Sequence, residues 1–341
     1  MKKTALILFN LGGPDNQAAV KPFLFNLFKD PAIIQLPLLL RLFVAKMISS
    51  RREKKAQGIY QKMGGGSPIL KNTENQSQAL NKVLGENFKT FVVMRYWHPF
   101  ADEVVGDVKN YAPDEIVLLP LYPQFSTTTT ASSLKNWHET AEKVGLTAPT
   151  KTICCYPTEP GFIGSLAAST KAAYEKARAF GAPRILFSAH GLPEKIIKAG
   201  DPYQWQCEQT AAALVKALNI SALDWELCYQ SRVGPLKWIG PATDEEVQRA
   251  GRDKIPVVMV PIAFVSEHSE TLVELDMEYR DLAKESGVPH YDYVPTVSTS
   301  MGFINGLARL VHEAQKSNQD CLSEKTQRMC PEEFSGCCMR M

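Results

Sequence analysis

The sequence has almost no net charge, no long unbroken apolar run and no standard phosphate-binding loop. Lysine and arginine number 38 against 36 aspartates and glutamates, a net of 38 − 36 = +2 over 341 residues. Nothing in that balance marks a nucleic-acid binder. The longest apolar stretch, residues 32–46, is broken by Gln35, Pro37 and Arg41 and is too short to span a bilayer. Gly12-Gly13-Pro14 and Gly64-Gly65-Gly66-Ser67-Pro68 fit neither GxGxxG nor GxxxxGKS/T in context, so the nucleotide reading is weak. Met1-Lys2-Lys3 leads straight into the strand-like ALILFNL with no small-residue cleavage site, so no export signal is expected. Eight cysteines are scattered and then crowd at the C-terminus, unlike a secreted disulfide framework. These absences predict a cytosolic, enzyme-like protein whose thiols are reduced or metal-bound.

What is present is an α/β pattern with 45% apolar composition, enough for two lobes of ordinary size. Strand-like runs at 4–11, 90–96 and 115–122, then 151–155, 184–190, 225–229, 257–265 and 291–294, alternate with helical segments. The helical candidates are 75–84, 161–180, 204–218, 270–284 and 301–313. The two series predict two doubly wound, parallel-sheet lobes, 1–150 and 151–314, followed by a polar extension, 315–341. By composition that extension reads as a floppy tail, yet it carries Cys321, Cys330, Cys337 and Cys338. The apolar segment 32–46 reads either as a buried helix or as an exposed lip touching membrane or a hydrophobic ligand.

The chemistry concentrates in PVVMVPIAFVSEHSETLVELDMEY, residues 256–279. An apolar strand runs into His268 and into Glu270, Glu274 and Glu278, whose i, i+4, i+8 spacing makes one acidic stripe on a helix. Like charges so placed repel, which suits a path for a metal ion or protons better than it suits stability. Glu267, His268 and Glu270 offer hard oxygen and imidazole ligands for a divalent metal such as Fe²⁺. A second strand, RILFSAH, ends in His190, held by Gly191 and Pro193 where a proton acceptor is useful. Sites in such sheets gather at the carboxyl ends of strands. The hydroxyl run Ser126–Thr130 could bind an anion at a helix start or could simply cap it. Arg95-Tyr96-Trp97-His98, Lys237-Trp238 and the Asp201-Pro202-Tyr203 turn flank turns and strand ends, as the walls of a site for a large flat acidic ring would.

In order, NLGGP (10–14), YQKMGGGSPI (60–69), MRYWHPF (94–100), LPLYPQFSTTTTASS (119–133), FSAHGLP (187–193), GDPY (200–203), YQSRVGPLKWIGP (229–241) and PIAFVSEHSETLVELDMEY (261–279) resemble the ferrochelatase family. The resemblance runs from about residue 4 to about residue 313. It implies two Rossmann-like lobes with a porphyrin in the cleft between them, Fe²⁺ as substrate and protoporphyrin IX as the ring. It implies His190 as the active-site histidine, Glu270 as its carboxylate partner across the macrocycle, and Glu274 and Glu278 extending the acidic line with His268. Leu11, Arg95, Tyr96, Tyr203, Trp238 and Phe264 would line the ring, with Ser67 and Ser126 near its propionates. The apolar segment would supply the lip, with peripheral contact at the inner membrane face; a homodimer is compatible. The competing readings are a coproporphyrin ferrochelatase, a non-catalytic porphyrin or haem carrier, and a cobalt chelatase on a related scaffold.

Some members of the family hold a 2Fe–2S cluster on three tail cysteines and one from the body of the chain. Here Cys330, Cys337 and Cys338 would be the tail ligands, in a spacing closer to a bacterial version than to the animal one. Cys154 or Cys155 would be the fourth, because Ser165 stands where the animal enzymes place theirs; Cys321 is a further candidate. Thiolates suit such a cluster. A zinc site or free thiols are the alternatives.

Overall fold

The computed structural model describes residues 2–232 and 234–339. Among these residues the chain forms two compact units, the first comprising 1–155 with 308–327 and the second 156–307 with 328–341. The division differs from the expected three segments. Residues 315–327 belong to the first unit and 328–341 to the second. The helix Met301–Lys316 carries the chain from one to the other.

In the first unit, β1 (Thr4–Asn10), β2 (Phe88–Met94), β3 (Glu115–Pro120), β4 (Thr150–Ile153) and β9 (Cys321–Leu322) pair in the order β2-β1-β3-β4-β9, all parallel. Every residue of β1 is buried, which is why TALILFN reads as an unbroken run and not as an alternation. The tail is not wholly irregular. Cys321 and Leu322 extend the sheet beside Thr152 and Ile153, so two residues take their order from an existing edge. The core here joins Phe9, Val93, Val105, Leu118 and Trp137.

In the second unit, β5 (Arg184–His190), β6 (Asp224–Gln230), β7 (Val257–Pro261) and β8 (Tyr291–Tyr293) pair in the order β6-β5-β7-β8, again all parallel. The chain leaves β5 for β6 on one side and continues through β7 on the other. The strand order therefore reverses at β5, and the crevice that such a reversal leaves at the carboxyl ends is where ligands bind in open α/β sheets.

The apolar segment separates into two parts. Residues 32–37 are irregular, and a helix runs from Leu38 to Gln61. Its first turns are not buried: Leu38, Leu39, Leu40 and Phe43 are 59, 82, 50 and 66% exposed. The helix start is thus exposed and not buried. No helix among the described residues is long and apolar enough to cross a membrane.

Candidate active site

The second unit assembles His190, Glu270, His268 and Glu274 at the carboxyl edge of its sheet. His190 is the last residue of β5, paired in register with Gln230 of β6. After β7 the chain passes through 262–269 and enters a helix of the wider, i→i−5 bonded kind over Glu270–Glu278. The sequence spacing suggested an ordinary α-helix there. The backbone N–H of Tyr279 bonds the Glu274 carbonyl instead. Such wide turns are rare and recur at functional sites.

Nδ1 of His190 and Oε2 of Glu270 are 2.9 Å apart. Burial opposes the imidazolium, but the Glu270 carboxylate outweighs it by charge and hydrogen bond, and the His190 pKa is raised. Burial likewise pushes Glu270 upward, and the charges and hydrogen bonds of His190 and His268 reverse it, leaving the carboxyl well below the usual range. The two shifts, His190 upward and Glu270 downward, both favour the charged form of each partner. Groups this close leave no room for a macrocycle between them, a geometry that departs from the expectation of partners across it.

His268 is 7% exposed and stands 3.9 Å from Glu270 through Nε2. Its Nδ1 lies 3.1 Å from the Ser266 carbonyl, which can only accept; Nδ1 therefore carries hydrogen and Nε2 is left facing Glu270. The Phe264 ring lies 4.8 Å from the imidazole. Glu274 follows one wide turn on. Burial and the neighbouring Glu270 charge raise its pKa. The Ser231 N–H donates to it at 2.9 Å, the Ser231 hydroxyl also donates, and Tyr279 Oη reaches it at 3.3 Å. Ser231 achieves this in a left-handed backbone conformation, φ 62°, which costs about 1–3 kcal/mol for a non-glycine residue and clusters at functional sites. Glu278 is exposed, so the acidic line runs from enclosed to open. Glu267 leaves the expected ligand group: it accepts from Tyr293 Oη at 2.9 Å and from the Thr296 N–H at 2.8 Å.

Tyr203 is buried, and burial first, then the neighbouring Cys207 and Tyr229 and last the Glu270 charge, raise its pKa well above the ordinary value. Trp238 packs on the loop after His190, bridging to Pro193 and closing on Gly191.

The remaining predicted residues lie in the first unit. Arg95 donates to Asp30 at 2.7 Å and to Ser132 at 2.8 Å. Tyr96 is 1% exposed and donates its hydroxyl to the same Asp30 oxygen at 2.9 Å. Tyr96 is thus a core support for Arg95 and not a free wall. Asp30, which the sequence reading passed over, gathers these donors and also accepts from the Ala32 N–H at 2.8 Å. Leu11 is half-buried against the cluster around Phe23 and Tyr96. The Ser67 N–H bonds the Pro14 carbonyl at 2.7 Å, and buried Ser126 bonds Thr128 at 2.8 Å.

Cys154 and Cys338 are each disulfide-bonded. Sγ atoms of Cys154 and Cys321 lie within 4.8 Å of one another, a grouping that leaves out Cys155. In the second unit a hydrogen bond with Cys330 holds the Cys337 thiol down to about 6, against its burial.

Solved structures with this fold include SirB from Bacillus subtilis with Fe³⁺ (TM-score 0.53, 11% identity, 92% of this chain and 96% of that chain). The sirohydrochlorin chelatase SirB from Bacillus subtilis subspecies spizizenii in complex with cobalt is similar (0.54, 9%, 92% and 96%). At those identities the likeness shows the fold alone, that of the chelatases. The ferrochelatase family model matches residues 3–315. The ferrochelatase of Caulobacter vibrioides (strain NA1000 / CB15N) is 52% identical over 98% of this chain and 97% of its own length. That of Rickettsia conorii (strain ATCC VR-613 / Malish 7) is 50% identical over 100% and 99%. The chain belongs to the ferrochelatase family, whose reaction is metal insertion into a porphyrin for haem synthesis.

Proposed function

We propose that His190 and Glu270 carry out this insertion from one face of protoporphyrin IX, with Fe²⁺ delivered along Glu278, Glu274 and His268. The observation that carries the reading is the His190–Glu270 hydrogen bond at the head of the acidic line. A free porphyrin holds two inner N–H protons, and both must leave before the metal seats. Bending the ring tips the pyrrole lone pairs out of plane, and binding energy at the ring edge can drive that bending. Where His190 is protonated, it accepts a ring proton only after releasing its own. The arrival of Fe²⁺ beside Glu270 favours that release, because a dication near the imidazolium weakens its hold on the proton. Glu274, with its raised proton affinity, is placed to pass the proton outward.

Arg95, steadied by Asp30, would bind a ring carboxylate; Tyr203, Trp238, Phe264 and Leu11 would contact the ring, with Ser67 and Ser126 supporting the propionate side. The exposed Leu38–Leu40 and Phe43 would touch a membrane surface, which suits a greasy substrate and product. Cys330, Cys337 and Cys338, with Cys154 as the body ligand, would hold a 2Fe–2S cluster once Cys154 and Cys338, disulfide-bonded here, are reduced; sulfur donors and the lowered Cys337 thiol fit thiolate ligation. Such a cluster supplies a one-electron couple and, by binding only the folded tail, stabilises it.

The test is anaerobic protein with Fe²⁺ and either protoporphyrin or coproporphyrin, followed by visible absorbance. Turnover of protoporphyrin in preference to coproporphyrin is expected. Exclusive turnover of coproporphyrin removes the substrate assignment, and binding without turnover removes the catalytic one. Iron and acid-labile sulfide in equal amounts support the cluster, whereas stoichiometric zinc without sulfide ends it.

A further inference from the structure

Residues 328–339 pack onto the turn that opens the helix Tyr203–Leu218, both within the second unit. The Gly336 N–H donates to the Gly200 carbonyl at 2.9 Å. The Phe334 ring lies 6.1 Å from that of Trp205, tilted by 40°. Gln206, fully buried, donates from Nε2 to Cys330 Sγ at 3.1 Å. Gly200 permits the approach. Its φ is +94°, and a Cβ there would collide with Ser335 Oγ and stand 2.9 Å from the Ser335 nitrogen.

The same turn sets the position of Tyr203. The buried Asp201 carboxylate accepts the Tyr203 N–H at 2.9 Å, fixing the start of the helix. Tyr203, Gln206, Cys207 and Thr210 follow at i, i+3, i+4 and i+7, and all four are buried, so they share one face. A shift of Gln206 therefore carries Tyr203 with it, one turn away. The tail has little core of its own. Its docking depends on this turn, and segments of that kind occupy the low end of local stability.

We propose that residues 328–339 are a strap that positions Tyr203, so that whatever Cys330 and Cys337 hold is communicated to the porphyrin site through Gln206 and Gly200. The effect on substrate rests on the reading of Tyr203 as a ring contact; the strap itself does not.

The experiment is a double-mutant cycle in the full-length chain: wild type, Phe334→Ala, Tyr203→Phe and the double variant. Steady-state kinetics and hydrogen exchange at the 203–206 amides are measured on each. Coupling between residues that act through one another is about 0.5–3 kcal/mol. Phe334→Ala is expected to raise porphyrin KM about fivefold, with kcat within about twofold and faster exchange at 203–206; in the Tyr203→Phe background the same change is expected to cost under about twofold. Equal losses in both backgrounds, or unchanged exchange at 203–206, overturn the strap. If exchange quickens but Tyr203→Phe alone leaves KM unchanged, the ring-contact reading fails and the strap survives. Gly200→Ala, which forces Ser335 away, is the second variant should Phe334→Ala not fold, with the same expected outcomes.

Discussion

His190 and Glu270 sit 2.9 Å apart although 80 positions separate them, one at the tip of a central strand and the other at the first residue of a wide helix. The short contact makes each the main determinant of the other's charge. His190→Ala should therefore abolish insertion while the ring still binds, because the imidazole removes protons and does not hold the ring edge. A loss of at least about 10²-fold in kcat is expected, the lower bound for a lost general base. Porphyrin Kd from fluorescence titration should stay within about threefold on the same footing. Near-normal turnover would sink the assignment.

The pH profile follows from the same contact. A histidine whose folded pKa is raised is protonated, and useless as a base, up to a pH above its ordinary value of about 6.5. The acid limb of kcat/KM should accordingly lie above about 6.5 in wild type. Glu270→Gln removes the charge that raises it and leaves burial, which lowers it, so the limb should move to lower pH. For stability the signs are opposite. The His190 contribution is full below its unfolded pKa and fades as pH rises through the folded one; the Glu270 contribution is full above about 4.3 and fades as pH falls. An acid limb unmoved by Glu270→Gln would show that another group titrates.

Along the acidic line the cost of neutralisation should fall with exposure. Glu270→Gln is expected to cut turnover at least about tenfold more than Glu278→Gln, because a half-buried charge held by two histidines has less solvent to replace it than an exposed one. Metal KM and kcat measured on both variants and on Glu274→Gln decide it. Equal, mild losses would make the line an ordinary solvated helix face.

The strand ends were legible because β5 announces itself: between Arg184 and His190 RILFSAH is apolar but for Ser188, and Gly191 and Pro193 stop it. The run VVMVPIAFV was read too long. The strand ends at Pro261, and 262–265 leave the sheet. Spacing showed the glutamates on one line but could not show the wider turn, since i, i+4 residues are neighbours in either helix. Asp30 was invisible because its partners, Arg95, Tyr96 and Ser132, lie 65, 66 and 102 positions away. The two-residue strand Cys321–Leu322 has no pattern of its own, only an edge to join.

Asp30 carries a separate prediction. Three side chains converge on one of its oxygens, and the carboxylate is 4% exposed. Asp30→Ala leaves the Arg95 guanidinium without its partner and should destabilise the protein by about 3 kcal/mol, the low end for breaking a buried pair. Arg95→Ala, by contrast, leaves Tyr96 and Ser132 on Asp30 and should lower stability less while raising porphyrin KM. Chemical denaturation of the two variants separates them, and an equal loss would mean that Arg95 is purely structural.

The helix start at Leu38 presents its largest side chains outward, with Leu39 at 82% and Phe43 at 66% exposure. Such a patch is costly in water and stabilising against lipid, at about 1.5–3 kcal/mol for each Leu or Phe fully buried. Replacing both Leu39 and Phe43 by Ser should therefore weaken association with phosphatidylglycerol-containing vesicles by at least about tenfold, since tenfold is only about 1.4 kcal/mol. Thermal stability should hardly change, because neither side chain packs in the core. Co-sedimentation with vesicles reads the first effect and a melting curve the second. Unchanged sedimentation would remove the lip from membrane contact, and a large fall in Tm would show that the patch packs within the fold.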